Sequence, residues 1–379
     1  MQKNIVHCNL QLKQMNKPYN FFSGPSILPE IVLQQAAEAI HNFAGTGLSI
    51  LEVSHRSKQF VAAMEEARTL VKQLLKLDDN KEVLFLQGGA SMQFCMVPYN
   101  LLGANETAAY LDTGHWAHEA IKEAARFGNT KVLGSSAESN YNYIPKEWLL
   151  DFDDTNVAYT HITTNNTIYG NQWSSALLID FIAKAKGVLV ADMSSDIFSR
   201  NVDYNRFDLI YAGAQKNMGP AGTTLVVISK DLLLKKVRNV PAMLDYSVHV
   251  AKDSMHNTPS VFAVYVSLLT LRWIAAKGLN TIEKDNDEKA AYLYQAVDAS
   301  SIFEGTVKHE DRSKMNVCFG LKDKTKEAAF LKFAEDNNLL GLAGHRTVGG
   351  FRASIYNAMT IEGVQQLVKV MQEFESKNL

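Results

Sequence analysis

Apolar and polar residues along this 379-residue chain follow two rhythms, and the switch between them marks its organisation. In "SILPEIVLQQAAEAIHNF" and "SKQFVAAMEEARTLVKQLLKL" apolar positions recur at helical spacing, with Pro29 near the start of the first, so both predict amphipathic helices. From "KEVLFLQ" onward, short continuous apolar runs alternate with helical segments: "KEVLFLQ" with "SMQFCMVPYNLL", "TAAYLD" with "AHEAIKEAARFG", then "NVAYTHI", "SALLIDFIAKAKG" and "VLVAD". "FDLIYAG" and "TTLVVIS" are two more runs of this kind. Unbroken apolar strands separated by helices predict an α/β fold with a mostly parallel sheet covered on both faces. The helical "SVFAVYVSLLTLRWIAAKG" then leads into helix, strand ("KMNVCFGL"), helix, strand ("GFRASIYN"), helix, a second and smaller α/β domain. The expected division is 30–278 for the large domain and 279–379 for the small one. Residues 1–29 form an extension and a segment that joins the small domain.

Composition narrows the function classes. A 46% hydrophobic content is ordinary for a globular protein, and 38 Lys+Arg against 40 Asp+Glu leaves a formal charge of −2. No net field draws the chain to nucleic acid or to an anionic membrane, so any anion must be met by a local cluster. Cys8, Cys95 and Cys318 have neither disulfide-framework nor zinc-ligand spacing, which fits a reducing compartment and a cytoplasmic location. The N-terminus lacks the apolar core of an export signal and the arginine pattern of a transit peptide. Met15 directly precedes better-patterned sequence, so residues 1–14 read as an extension to the fold or as the product of an upstream start codon.

In sheets of this kind ligands sit beyond the C-terminal strand ends, and five segments there are more polar than packing requires. "GGAS" opens a helix whose bare N–H groups suit a phosphate, although a Gly-Gly pair is by itself more often an ordinary turn. The P-loop lysine and hydroxyl are missing, which disfavours an NTPase. "TGHW" puts Trp116 where a ring can lie on a planar cofactor, the bland alternative being a core tryptophan. "TTNNTIYG" supplies Thr167, or else caps the next helix. In "VLVADMSSD" Asp192 ends a strand too apolar for the surface. A carboxylate there needs a cation or hydrogen bonds, unless it is a helix N-cap.

The fifth segment, "IYAGAQKNMGPAG", delivers Lys216 among small residues between two buried strands. An amine in such a cleft loses solvation, its pKa falls, and it can condense with an aldehyde. A solvated loop lysine is the usual case but does not explain the crowding of glycines. Pyridoxal phosphate needs a lysine for its aldehyde, an anion for its ring nitrogen, an aromatic face and a helix N-terminus for its phosphate, and the chain offers one of each. Asp192 and Lys216 are 24 residues apart (216 − 192), which lets neighbouring strands place them on two sides of one ring. His115, His118 and Glu119 in "HWAHE" do not follow metalloprotease ligand order, so no metal site is expected. No G-x-S-x-G elbow supports a hydrolase.

"NFFSGPSILPE", "ILEVSHRSKQF", "FLQGGASMQF", "TGHWAHEAIKEA", "VADMSSDIFSR", "IYAGAQKNMGPAG", "MLDYSVHVAKDSMHNTP", "KMNVCFGL" and "GHRTVGGFRASIYNAM" resemble the successive motifs of the phosphoserine aminotransferase family, fold-type I pyridoxal phosphate enzymes, from about Asn20 to Phe374. The resemblance implies a seven-stranded, mostly parallel sheet in the large domain and a homodimer with active sites at the subunit interface. It implies that Lys216 joins the cofactor covalently, Asp192 pairs with the ring nitrogen, Trp116 stacks on the ring and Thr167 bonds its 3-hydroxyl. Ala90, Ser91, Ser194 and Gln215 would complete the cofactor site, with Asn257 and Thr258 reaching across from the partner subunit. Arg352 resembles the family's α-carboxylate clamp, and His55, Arg56, His345 and Arg346 resemble the residues around a substrate phosphate, with Ser23 assisting. Asn166 and Ser91 stand where some relatives have glutamate and arginine. The implied reaction takes glutamate and 3-phosphohydroxypyruvate to 2-oxoglutarate and phosphoserine, with 4-phosphohydroxythreonine of vitamin B6 synthesis left open as a further substrate. The rivals are another aminotransferase or lyase of this fold and a catalytically silent cofactor-binding protein.

Overall fold

The computed structural model describes residues 17–146 and 156–378; the reading of residues 1–14 lies outside them. The strands are β1 (Tyr19–Asn20), β2 (Lys81–Leu86), β3 (Thr107–Asp112), β4 (Asn129–Ser135), β5 (Tyr159–Thr163) and β6 (Leu189–Asp192). They continue with β7 (Leu209–Gly213), β8 (Thr224–Ser229), β9 (Phe303–Gly305), β10 (Asn316–Leu321), β11 (Leu339–Leu340) and β12 (Phe351–Ser354). Seven of them form one sheet in the order β2-β8-β7-β6-β5-β3-β4, in which β8 is antiparallel to both neighbours and the other pairs are parallel. Every residue of β5, β6, β7 and β8 is buried, because helices cover both faces. That double burial is why these strands read as unbroken apolar runs.

One face packs on helices Gly89–Leu101 and His115–Ala124 through Phe94, Tyr110, Ala120 and Tyr211. The other packs on Lys58–Leu74, Ser175–Lys184 and Val261–Lys277 through Phe60, Phe181, Ile210 and Leu268. Val261–Lys277 buries residues all round, lying between Lys58–Leu74 and Glu30–His41, and so shows no polar stripe. After it the chain bends by 89° at Gly278, whose φ of +80° favours glycine, into helix Leu279–Ala299. No single helix among the described residues is long and apolar enough to cross a membrane.

A second core gathers on the antiparallel sheet β12-β10-β9, with helices Leu279–Ala299, Glu327–Asp336 and Ile361–Asn378 supplying Leu293, Phe330 and Leu367. The N-terminal segment enters this core: β1 pairs in parallel with β11, and Phe21 just beyond it is fully buried. The sequence patterns miss four strands. β1, β9 and β11 are two or three residues long and carry no periodicity. β4, an edge strand of sequence NTKVLGS without one fully buried residue, lacks an apolar run.

Register carries the fold to the site. Thr163 pairs with Asp192 and Asp192 with Tyr211, so the C-terminal ends of β5, β6 and β7 present one row of side chains to the same mouth.

Candidate active site

The turn between β7 and β8 explains the small residues around Lys216. The N–H groups of Met218 and Gly219 both bond the Ala214 carbonyl, at 3.1 and 2.8 Å, and Ala214 N–H bonds Thr223 O at 3.1 Å, which closes the turn tightly. A Cβ on Gly219 would stand 2.4 Å from Ser267 Oγ of helix Val261–Lys277, so only glycine lets that helix support the turn. The N-terminal segment braces the other side: Ser26 N–H donates to Gln215 O at 2.9 Å and Ser26 Oγ to Lys216 O at 2.5 Å. So held, Lys216 extends its amine towards the loop after β5, where Nζ donates to Thr167 Oγ1 at 2.6 Å. Burial pulls its pKa down to about 8, with Asp192 pulling the other way and Arg352 adding to the depression.

The cavity beside Lys216, about 130 Å³, is lined by Gly89, Ala90, Ser91, Trp116, Asp192, Ser194 and Gln215, among others. Asp192 is 4% exposed at the end of β6, and its Oδ1 accepts from Ser194 N–H at 2.9 Å. Burial raises its carboxyl above the usual range, against the pull of Ser194 and Lys216. Four residues on, buried Asp196 differs: Arg200 donates to it at 2.9 Å and Thr164 Oγ1 at 2.5 Å. Asp192, by contrast, feels Lys216 but makes no ion pair among the described residues. Helix Gly89–Leu101 aims its N-terminus at the cavity, started by Gly88 at φ +92°, where a Cβ would fall 2.5 Å from Met92 Cβ.

A cationic wall rises from the smaller α/β layer. Arg352 on β12 donates through NH2 to Ser23 Oγ at 2.8 Å and through NH1 to Thr167 O at 3.3 Å. The chain before it makes a loop closed at its base by Gly344 N–H to Gly350 O at 2.9 Å and by pairing of Ala343 with Phe351. His345 and Arg346 ride on that loop, with His345 Nδ1 2.7 Å from Thr347 Oγ1. Burial lowers the His345 pKa, and Arg352, His115 and Arg346 lower it further.

Of the residues expected from sequence, Lys216, Asp192, Ala90, Ser91, Trp116, Ser194 and Gln215 line one cavity, with Thr167, Arg352 and Ser23 bonded into its edge. Asn257 and Thr258 lie elsewhere in this chain. Asn257 lines a separate cleft with Gln87 and Met243, and the Thr258 carbonyl accepts from Gln87. His55 and Arg56 sit just before helix Lys58–Leu74, bonded to each other at 3.4 Å.

The class-V aminotransferase family profile matches residues 18–367. The chain belongs to the class-V aminotransferases. It is 54% identical to the phosphoserine aminotransferase of Flavobacterium johnsoniae over 363 residues, 95% of this chain and 99% of the relative. The phosphoserine aminotransferase structure from Bacillus circulans subsp. alkalophilus superposes with a TM-score of 0.91 at 41% identity, covering 96% of this chain and all of that one. The pyridoxal-phosphate-bound enzyme from Trichomonas vaginalis gives 0.87 at 36%, covering 94% of this chain and 100% of the other. The protein is therefore a pyridoxal-phosphate-dependent aminotransferase.

The donor set of this aminotransferase fits that cofactor. The cavity joins an amine of depressed pKa, a buried acid with no ion pair among the described residues, an indole and a helix N-terminus. Thr163 Oγ1 and Arg352 Nε at its margin are buried with no partner among the described residues.

Sequence reading missed two parts of the site. One is a buried polar seam between the two layers: Asn165 Nδ2 donates to Ser195 Oγ and to Asn316 Oδ1, both at 2.8 Å, and Asn316 Nδ2 donates to Ser354 Oγ at 3.0 Å. Asn357 N–H donates to Asn217 Oδ1 at 3.1 Å, tying the end of the Arg352 strand to the residue after Lys216. The signal was the polar residues beside site motifs. The other part is His115, read only as a failed metal ligand, whose ring lies 6.1 Å from that of His345.

Proposed function

We propose that this aminotransferase transfers the amino group of L-glutamate to 3-phosphohydroxypyruvate, giving 2-oxoglutarate and O-phospho-L-serine, a step of serine biosynthesis in the cytoplasm. One observation carries the reading: two cationic stations share a cleft wall, Arg352 beside Lys216 and the His345–Arg346 loop next to Arg352. A substrate with an α-carboxylate at one end and a phosphate at the other needs both. Arg352 offers a planar fork for the carboxylate, and the loop offers its charge to the distal anion. Glutamate carries a carboxylate at each end, so the same two stations serve both half-reactions. Relatives bearing the phosphoserine aminotransferase name at about half identity support this choice.

Pyridoxal phosphate supplies an aldehyde that takes the amino group and an electron-withdrawing ring that acidifies the substrate Cα. Lys216 would hold it covalently, Asp192 would keep its ring nitrogen protonated, Trp116 would cover the ring, and Thr167 would face its 3-hydroxyl. Ala90, Ser91, Ser194 and Gln215 would surround its phosphate. Nζ of Lys216 then takes the proton from Cα of glutamate and delivers one to Cα of the phosphoserine product.

The active unit is a homodimer in this reading. Asn257, Thr258, His55 and Arg56, which lie away from their own chain's cavity, are the residues we assign to the neighbouring subunit's site. Exposed Leu48 and Leu51, at 51% and 65%, lie just before His55 and suit burial against a second copy. The test is turnover with glutamate and either 3-phosphohydroxypyruvate or hydroxypyruvate. We expect the phosphorylated acid to be favoured by at least about 100-fold in kcat/KM, the scale of one lost charged contact. Equal rates would leave another class-V aminotransferase, and no amination of the cofactor by glutamate would leave a silent binding protein. The same assay with 4-phosphohydroxythreonine decides whether it is also a substrate.

A further inference from the structure

We propose that His115 is a specificity-determining residue, a donor from the large layer that closes the distal-anion pocket opposite His345 and Arg346. The inference rests on the phosphate reading above and names a residue outside the motif pairs that suggested it. His115 is the first residue of helix His115–Ala124 and directly precedes Trp116, which lines the cofactor cavity. Its ring meets the Trp116 edge at 4.8 Å and lies near the His345 ring at 6.1 Å with 32° between planes. The two imidazoles thus come from opposite walls, one following β3 and one on the loop before β12.

The bland alternative is that His115 merely fills space beside Trp116, and three observations weigh against it. The ring is half-buried, and neither of its nitrogens takes a hydrogen bond from another described residue, so both are left for a ligand. Beyond burial, the side chains that lower the His345 pKa are Arg352, His115 and Arg346, all basic in type, so the gap between the rings is a place that favours an anion. Glu119, one turn along from His115, accepts from Lys122 at 2.8 Å and is held low by Lys122, His115 and His118 together, so its charge is shared among three basic groups rather than spent on His115. The first-turn N–H groups of the helix add to the same polarity. An anion entering there relieves mutual repulsion between groups already fixed in place, which selects a doubly charged phosphate over a single carboxylate. An imidazole suits this role because its N–H donates whichever ring nitrogen carries the proton.

The experiment compares wild type, His115→Ala and His115→Phe, each loaded with cofactor, on 3-phosphohydroxypyruvate and hydroxypyruvate. Calorimetric titration with inorganic phosphate measures the pocket directly. We expect both variants to raise KM for the phosphorylated acid and weaken phosphate binding about tenfold, as for loss of one charge-assisted hydrogen bond. We expect kcat, the hydroxypyruvate KM and the absorption spectrum of the bound cofactor to stay within about twofold. Because phenylalanine restores packing against Trp116 without a donor, recovery in His115→Phe overturns the proposal, as does an equal loss on both acids. If wild type itself does not distinguish the two acids, the phosphate reading fails; if it does and the variants keep the same ratio, only the role of His115 fails.

Discussion

Lys289 and Lys216 both hold their amines away from water, but under opposite terms. Lys289, 2% exposed on helix Leu279–Ala299, donates to the carbonyls of Ile355, Tyr356 and Met359 at 3.0, 2.8 and 2.9 Å, which in its ammonium form uses all three N–H groups. Lys216 donates once, to Thr167, and otherwise faces a cavity. Burial depresses both, Lys289 to about 7 and Lys216 to about 8. A depressed pKa therefore does not by itself mark the reactive amine. What separates them is spare donor capacity and the acid each one faces: Asp285 near Lys289 is already paired with Lys277, whereas Asp192 near Lys216 has no ion pair among the described residues. Lys289 is a cross-brace holding the chain just after the Arg352 strand; Lys216 is a reagent.

The comparison breaks first at Lys216. We expect Lys216→Ala to lower turnover by about 10⁴-fold, the scale of losing a positioned proton carrier together with the covalent anchor, while the thermal unfolding midpoint stays near that of the wild type. Borohydride reduction followed by peptide mapping should place the cofactor on residue 216. A tag on any other lysine, Lys289 included, ends the distinction drawn above. Asp192→Asn comes next. It keeps the shape and the Ser194 bond but removes the charge, so we expect about a 100-fold loss in kcat, as when a preorganised electrostatic partner is deleted. We also expect a shift in the absorption of the bound cofactor; an unchanged spectrum with unchanged kcat would move the cation's partner elsewhere.

How far the sequence leads differs between the two lysines for a physical reason. Lys216 stands in a loop, where polar residues after apolar strands carry information about ligands, and its glycine neighbours report close approach by helix Val261–Lys277. Asp192 and Trp116 are legible in the same way, as chemistry that packing does not demand. Lys289 lies in "DEKAAYL", directly after the charged run through Asp285, Asp287 and Glu288, and nothing there separates a brace from a solvated lysine. Its partners are main-chain carbonyls about seventy residues away, and backbone acceptors leave no mark on residue type. The polar seam through Asn165 and Asn316 was hidden similarly: asparagines in "TTNNT" and "KMNV" look like loop and strand-start residues until the two layers are brought together. The strands that escaped notice, β4 and β9 among them, lie at sheet edges, where burial imposes no apolar run.

The smallest expected effect on chemistry, and the sharpest on stability, comes from Lys289→Met. Methionine fills a similar volume but leaves three buried carbonyls without donors. This should cost about 3 kcal/mol in denaturant unfolding, less than three isolated losses because an expensive buried charge goes with them. The pH dependence fixes the sign. The folded pKa of about 7 lies below the ordinary 10.5, so between those values the unfolded chain holds more protons at this site. Wild type therefore gains stability from Lys289 as pH rises from about 7 towards 10, and the penalty of burying the ammonium is fully present below 7. The Met variant lacks that gain, so its deficit should be larger at pH 9.5 than at pH 7. Lys216 also contributes a rise over the upper part of this window, from about 8, but is common to both proteins and cancels in the difference. An equal deficit at the two pH values would mean that the three carbonyls hold Lys289 charged throughout. The two buried amines would then differ in their protonation as well as in their freedom, and the cross-brace would be an ion rather than a neutral donor at high pH.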